Sequence, residues 1–131
     1  MIASSSGDKR GVKVFLNATF ADRQTSTLDN QIAVGLLATG LFDARPDDDT
    51  GFAVGRTHVN SRVAEAERLR NASGLAPVGV QNSEYAAEIF WSFNPAPWVA
   101  LRPNVQYVLH PGGVTHNTDD VIVGLKLSIN L

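Results

Sequence analysis

The residues of this chain with chemistry to offer are spread singly, not gathered into a catalytic set. His58, His110 and His116 have no carboxylates at metal-ligand spacing around them. Asp47, Asp48 and Asp49 adjoin one another but lack the spaced oxygen ligands of a calcium loop, so a solvated turn accounts for them. There is no phosphate loop and no Gly-x-Ser-x-Gly turn. Cysteine is absent, which excludes disulfides and thiol chemistry. Asn17-Ala18-Thr19 and Asn71-Ala72-Ser73 match the glycosylation triplet, a pattern common by chance, and the first falls in an expected strand. No enzyme, metal or cofactor is expected. What remains is a series of charged and amide side chains spaced by two. Arg56 and His58 (with Asn60) form one run, Glu84 and Glu88, in phase with Ala86 between them, a second, and Arg102, Asn104 and Gln106 a third, with Lys13, Asn17 and Lys126 in similar settings. Spacing by two puts side chains on one side of an extended strand. Such residues line a wall; they do not converge on a point.

The elements that must carry this wall are strands. Residues 120–131 show the pattern most clearly: Val121, Val123, Leu125, Leu127, Ile129 and Leu131 alternate with Ile122, Gly124, Lys126, Ser128 and Asn130. One face is aliphatic and the other, apart from Ile122, is polar or small, which suits lipid on one side and water on the other. A transmembrane strand needs about 9–11 residues, and this stretch is long enough. Residues 11–21 repeat the alternation, with Phe15 the exception on the polar side. Residues 30–42 are apolar on both sides, and periodicity leaves a buried helix open there, although Gly35 and Gly40 weigh against it. In residues 50–61 the small residues Gly51, Ala53, Gly55, Thr57 and Val59 are expected outward, with Arg56, His58 and Asn60 inward, because charge is costly in lipid. Residues 81–93 and 97–109 alternate again, with Phe90 on the polar side of the first. Pro103 implies a bulge or local edge in the second.

The connections alternate in length. Residues 43–49 and 94–97 are expected as turns, rich in proline and acids. Residues 22–29, 62–80 and 110–119 are longer. Within them, 62–71 admits a short helix capped by Asn60 or Ser61, but no apolar stripe supports it and a solvated loop is expected. Short turns at one end and long loops at the other are the layout of an outer-membrane meander. Phe20, Phe42, Phe93, Trp98 and Tyr107 fall near strand ends, as interfacial aromatics do. Sandwich strands usually run about 5–6 residues, half the length seen here. The fold expected is therefore all-β, an antiparallel up-and-down meander of about six long strands. Of the 131 residues, 18% are charged, below the ~25% of soluble domains. The net charge of −2 gives no electrostatic pointer to nucleic acid. No run approaches the ~18 apolar residues of a membrane helix. The polar residues 1–10, expected to be irregular, lack a signal-peptide core.

Three stretches then carry a family resemblance. Gly40-Leu-Phe-Asp-Ala-Arg-Pro-Asp-Asp-Asp-Thr-Gly-Phe-Ala-Val-Gly55 resembles the "TGL-x-x-x-R-x-D-D-x-x-G-x-A-V/G" hairpin of carbohydrate-selective porins of the OprB family. Glu84-Tyr-Ala-Ala-Glu-Ile-Phe90 is similar to that family's "E…E-x-x-Y/F" strand. Ala96-Pro-Trp-Val-Ala-Leu-Arg-Pro-Asn-Val-Gln-Tyr-Val-Leu-His-Pro-Gly-Gly113 is similar to its "x-P-W-L-x-L-x-P-D-L-Q-Y-x-x-x-P-G-G" hairpin, the most specific of the three. The resemblance covers residues 11–131, the carboxyl-terminal part of such a porin.

The resemblance implies a 16-stranded transmembrane β-barrel in the cell outer membrane that passes sugars by passive diffusion. The chain is then expected to be a fragment, with the remaining barrel strands, outer-membrane lipid and permeating sugars as its partners. Its final Leu131 stands where such barrels commonly end in Phe. A sugar is neutral and rich in hydroxyls, so a selective channel needs groups that donate and accept hydrogen bonds, with aromatic faces for the C–H side of the ring. The lumen-facing candidates are Arg56, His58, Glu84, Glu88, Arg102, Asn104, Gln106 and Lys126, with Arg102 and Glu88 the expected constriction pair. For any one of them, simply wetting the wall is the competing account. Two other functions fit the same residues: a small soluble β-domain binding an apolar ligand, and a truncated, non-functional porin remnant.

Overall fold

The computed structural model describes residues 10–129. The expected irregular residues 1–9, and Asn130 and Leu131 of the expected terminal strand, lie outside them. Six strands, β1 (Gly11–Phe20), β2 (Leu28–Thr39), β3 (Asp49–Val59), β4 (Ser83–Ala96), β5 (Val99–Leu109) and β6 (Asp120–Ile129), form one antiparallel sheet in sequence order. Each neighbour is the next strand in the chain, so the sheet is an up-and-down meander. The ambiguous stretch resolves as strand β2, where Gly35 and the β-branched residues favour extended backbone over helix.

Among the described residues, nothing is layered over the apolar side of this sheet. Among the described residues only Ala38, Val59 and Ala64 are buried hydrophobics. Val14 is 74% exposed, Leu16 73% and Val123 76%. A soluble sandwich would cover such a face with a second sheet, and an uncovered apolar surface of this extent marks contact with lipid or another apolar partner.

The turn between β2 and β3 is more ordered than its proline and acids suggest. Gly40 turns the chain at a φ of +69°, open to glycine at little cost. Asp48 is buried: its Oδ2 accepts from Arg45 Nε at 2.6 Å and from Trp91 Nε1 at 2.8 Å. The Arg45 guanidinium also lies 5.4 Å from the Trp91 ring centroid and 5.1 Å from that of Phe93, whose ring stacks on Trp91. Asp49 accepts from Thr39 Oγ1. The acidic run expected as a solvated turn therefore has one member that clamps the turn to the β4 aromatics.

Two further expectations are corrected and a third is decided. The stretch 94–96 does not end β4: the strand continues to Ala96 through a register shift, and the connection to β5 shrinks to Pro97 and Trp98. Of the two outcomes expected at Pro103, the bulge is absent and the local edge is present. The β4–β5 ladder lapses beside it, from Phe90↔Asn104 to Phe93↔Leu101, without losing register, while the β5–β6 ladder runs straight through Pro103↔Leu125. A missing N–H removes one rung and need not insert a residue. Finally, the stretch expected as loop contains the helix α1 (Ser61–Ala72). It has no apolar stripe; polar contacts hold it. Asn60, 2% exposed, accepts from Arg62 N at the helix start and donates to the carbonyls of Arg23 and Ser26. Glu67 accepts from Gln81 N, and Asn71 bonds Val78 twice. The helix thereby joins the connections 21–27 and 73–82 at one end of the sheet.

Candidate functional site

The side-chain faces follow from register, because residues paired across an antiparallel ladder share a face. One row runs Leu16, Val34, Val54, Ala87, Tyr107 and Val121 across all six strands. The adjacent residue on each strand gives a row on the opposite face, Phe15, Gly35, Ala53, Glu88, Gln106 and Ile122. The first row belongs to a continuous apolar face. The second belongs to a face carrying Lys13, Asn17, Glu84, Glu88, Arg102, Asn104, Gln106 and Lys126.

Two of the expected wall residues are on the other side. Arg56 pairs with Ile32 and Tyr85, and His58 with Asn30 and Ser83, so both stand with Phe52, Val54 and Ile89 on the apolar face. The residues expected outward, Gly51, Ala53, Gly55 and Thr57, are on the polar face. The cause is the period of two: a one-residue misreading inverts every side chain of a strand. In β3 the small residues carry no strong preference, so its neighbours decide. Phe52 and Val54 meet Leu36 and Val34 on one side and Ile89 and Ala87 on the other. Arg56 and His58 sit at the long-loop end of β3, where an aromatic rim (Phe20, Tyr85, Tyr107) marks the edge of the apolar band and long side chains reach the boundary.

On the polar face, Glu88 accepts from Asn104 Nδ2 at 3.1 Å and from Gln106 Nε2 at 3.2 Å. It pairs directly with Gln106. Arg102 does not bond it, contrary to the expected pair. The guanidinium lies 3.3 Å from the centroid of the Phe90 ring, and Arg102 stands opposite Lys126 on β6. A delocalised cation against an aromatic face gains about 0.5–1 kcal/mol at an exposed site. Glu84 acts elsewhere. Its Oε2 accepts from Gly112 N at 2.7 Å and anchors the β5–β6 loop, which Gln81 ties down through the Gly112 carbonyl. Of the eight candidates, the structure thus groups Glu88, Asn104, Gln106 and Arg102, places Lys126 beside them, uses Glu84 at the rim, and separates Arg56 and His58.

Two residues that alternation alone does not mark as site candidates complete the patch. Phe15 and Phe90, the exceptions in their alternations, lie over glycines on neighbouring strands. A Cβ on Gly35 would stand 2.5 Å from Phe15 Cε1, and one on Gly51 would enter the Phe90 ring. Phe15, Glu88, Phe90 and Arg102 share one hollow on this face. The signal is present in the sequence as two aromatics out of phase and two glycines within strands, but only the cross-strand register joins each ring to its glycine.

The loop 21–27 at the rim is fixed by its own charges. Arg23 makes two bonds to the Asp29 carboxylate, which hold its guanidinium above its ordinary pKa. Asp22 accepts from Gln24 N and Thr25 Oγ1, and these bonds hold its carboxyl below the usual range.

Known proteins are similar to this chain in sequence and in the form of its sheet. The family model "Carbohydrate-selective porin, OprB family" matches residues 1–131. Porin B of Pseudomonas aeruginosa is 36% identical over 134 residues, covering 96% of this chain and 30% of that protein. The structure of Pseudomonas putida OprB at high pH superposes with a TM-score of 0.86 at 40% identity, over 92% of this chain and 30% of that one. The low-pH structure of the same porin gives 0.62 at 32% identity, over 98% and 33%. The chain therefore spans about 30% of the length of the curated relatives it matches.

Proposed function

Because this chain belongs to the carbohydrate-selective porins of the OprB family, we propose that its six strands are an arc of an outer-membrane barrel whose lumen passes neutral sugars by passive diffusion. The observation that carries this is the polarised single sheet: an apolar face with nothing among the described residues layered on it, and an opposite face lined with hydrogen-bonding groups. In a barrel the first meets lipid and the second meets water. The long connections 21–27, 60–82 and 110–119 then lie outside the cell, and the turns 40–48 and 97–98 on the periplasmic side. The free edges of β1 and β6 need further strands, since lipid leaves no unpaired backbone satisfied.

Passage requires no bond making, and the wall residues serve as a relay of weak contacts. Asn104 and Gln106 hold the Glu88 carboxylate in place while each keeps donor and acceptor capacity for a sugar hydroxyl. Phe15 and Phe90 offer flat apolar surfaces to the C–H side of a pyranose ring. Arg102 steadies Phe90 and, with Lys126, sets a positive band beside the carboxylate. The site works as a patch of alternating polar and aromatic surface that a neutral, hydroxyl-rich solute crosses without a deep well.

The test is ion current through the assembled barrel in planar bilayers, titrated with neutral mono- and disaccharides. Sugars should reduce the current, and Phe90→Ala or Glu88→Gln should raise the half-blocking concentration severalfold. A current indifferent to every sugar, or a protein that stays in the aqueous phase without detergent, would overturn the proposal.

A further inference from the structure

The apolar face carries one feature that a plain lipid-facing wall does not need. Arg56 is charged, and on this face it has only apolar or aromatic cross-strand partners, Ile32 and Tyr85. Among the described residues it makes no ion pair. Its Nε and Nη2 donate to Ser83 Oγ at 3.2 and 3.1 Å, and His58 Nδ1 lies 2.9 Å from the same oxygen. Ser83 is buried, 6% exposed. Arginine and imidazole are thus held side by side by a neutral hydroxyl, with the remaining guanidinium donors unused. Asp29 lies near enough to His58 to act on it electrostatically, but its carboxylate is bonded to Arg23, and among the described residues no carboxylate pairs with Arg56. A cation facing lipid without an anion is expensive, so Arg56 has room for a negative group.

Beside the pair lies a hollow. In the row through Val54 and Tyr107 the intervening residue on β4 is Ala87, and its short side chain leaves a depression of about 440 Å³ that reaches from Val34 and Ile32 to Tyr107, with Arg56 in its lining. The lining is otherwise nearly all apolar. The basic pair and the hollow both lie toward the long-loop end of the sheet, the outer-leaflet side of a porin. A diffusible anion would satisfy Arg56 but leave the hollow empty. A molecule carrying a phosphate and an acyl chain fits both.

We propose that this notch binds one phosphate-bearing lipid of the outer leaflet, its phosphate on Arg56 and His58 and an acyl chain lying over Ala87. The guanidinium fork suits phosphate oxygens, which it meets through charge-assisted hydrogen bonds. The site rests on the apolar face meeting lipid, but it is separate from the sugar path, because its residues are on the opposite side of the sheet from Glu88 and Phe90.

The test is native mass spectrometry of the assembled barrel in neutral detergent, with added diphosphorylated lipid A, its dephosphorylated form, or inorganic phosphate. The wild type should carry one lipid A adduct. Arg56→Gln should lower the bound fraction roughly tenfold, as loss of a charge-assisted contact does, and Ala87→Leu should lower it by filling the hollow. Neither variant should change sugar block of the current, a readout that also shows the barrel has formed. Equal binding by Arg56→Gln, or by the dephosphorylated lipid, would overturn the site. So would full displacement by inorganic phosphate, or a dimer that disappears in Arg56→Gln. A barrel that conducts but takes no lipid A sinks the lipid site alone; one that binds lipid A but never conducts counts against the porin proposal alone.

Discussion

On the apolar face the middle of β2 and β3 presents side chains that fill space, while on the polar face the middle of the same two strands presents mostly glycine and alanine. Val34, Phe52 and Val54 stand on the first; Gly35, Gly51, Ala53 and Gly55, next to them in sequence, stand on the second. The two faces answer to different demands. A face against lipid needs only continuous apolar surface, and almost any aliphatic residue supplies it. A face against a solute needs a defined relief. Here the glycines of β2 and β3 receive the rings of Phe15 and Phe90, and amides and charges stand to either side, Lys13 and Asn17 on β1 and the group around Glu88 on β4, β5 and β6. Glycine in these strands, costly for strand stability in isolation, is a seat for an aromatic ring.

The largest expected effect comes from placing the same charge on each face at adjacent positions. In the assembled barrel Val123→Lys should lose about 2–4 kcal/mol of unfolding free energy, the cost of lysine near the bilayer midplane, whereas Ile122→Lys should lose well under half of that. Urea titration of both variants in lipid vesicles reads the difference; equal losses would dissolve the distinction between the faces.

Next in size is a pair of glycines on the polar face. Gly51→Val drives two methyl groups into the Phe90 ring and should cost about 1–3 kcal/mol, the usual range for overpacking. At Gly55 an added Cβ meets Ala33 Cβ at 3.5 Å, an ordinary contact, so Gly55→Ala should be neutral within about 0.5 kcal/mol. Thermal unfolding followed by gel mobility compares the two, and a benign Gly51→Val would mean that Phe90 is not seated as described.

A smaller change sharpens the account of the charged half. Arg102→Ala should free the Phe90 ring with a stability loss of only about 0.5–1 kcal/mol, yet shift the cation-to-anion permeability ratio toward cations, because Glu88 then meets less opposing charge. Reversal potentials in a salt gradient give the answer; an unchanged ratio would remove Arg102 from the wall.

The smallest effect lies at the rim. The Asp22 carboxyl has its pKa lowered by the Gln24 amide and Thr25 hydroxyl. A depressed carboxylate contributes order that is fully present above its unfolded pKa and lost as pH falls through the folded value. Amide exchange at Gln24 should therefore accelerate in that acid window, once corrected for intrinsic exchange, and Asp22→Asn should flatten the response.

The strand count, the meander and the division into long loops and short turns were legible because alternation and turn residues are local signals. β1, β4, β5 and β6 each declare their faces through aliphatic rows opposed by amides and charges. Three things were not local. The face of β3 depends on β2 and β4, since its own glycines and alanines fit either side and Arg56 and His58 lie where the apolar band ends. Helix α1 is held by Asn60, Glu67 and Asn71 reaching across loops, not by an apolar stripe. Arg102 meets Phe90, and Glu88 meets two amides, because partners are fixed by ladder register and rotamer, while the spacing from the shared turn gives only neighbourhood.

The sequence by itself therefore determined that this protein is a sheet with one apolar and one polar side, since period-two patterning is written residue by residue. Only the tertiary structure decided what each side can do. Gly51 becomes a seat for Phe90, Ala87 becomes a hollow, and Arg56 changes sides, each because residues distant in sequence are brought opposite it. A ladder fixes all its pairs at once, and no window of sequence contains that constraint.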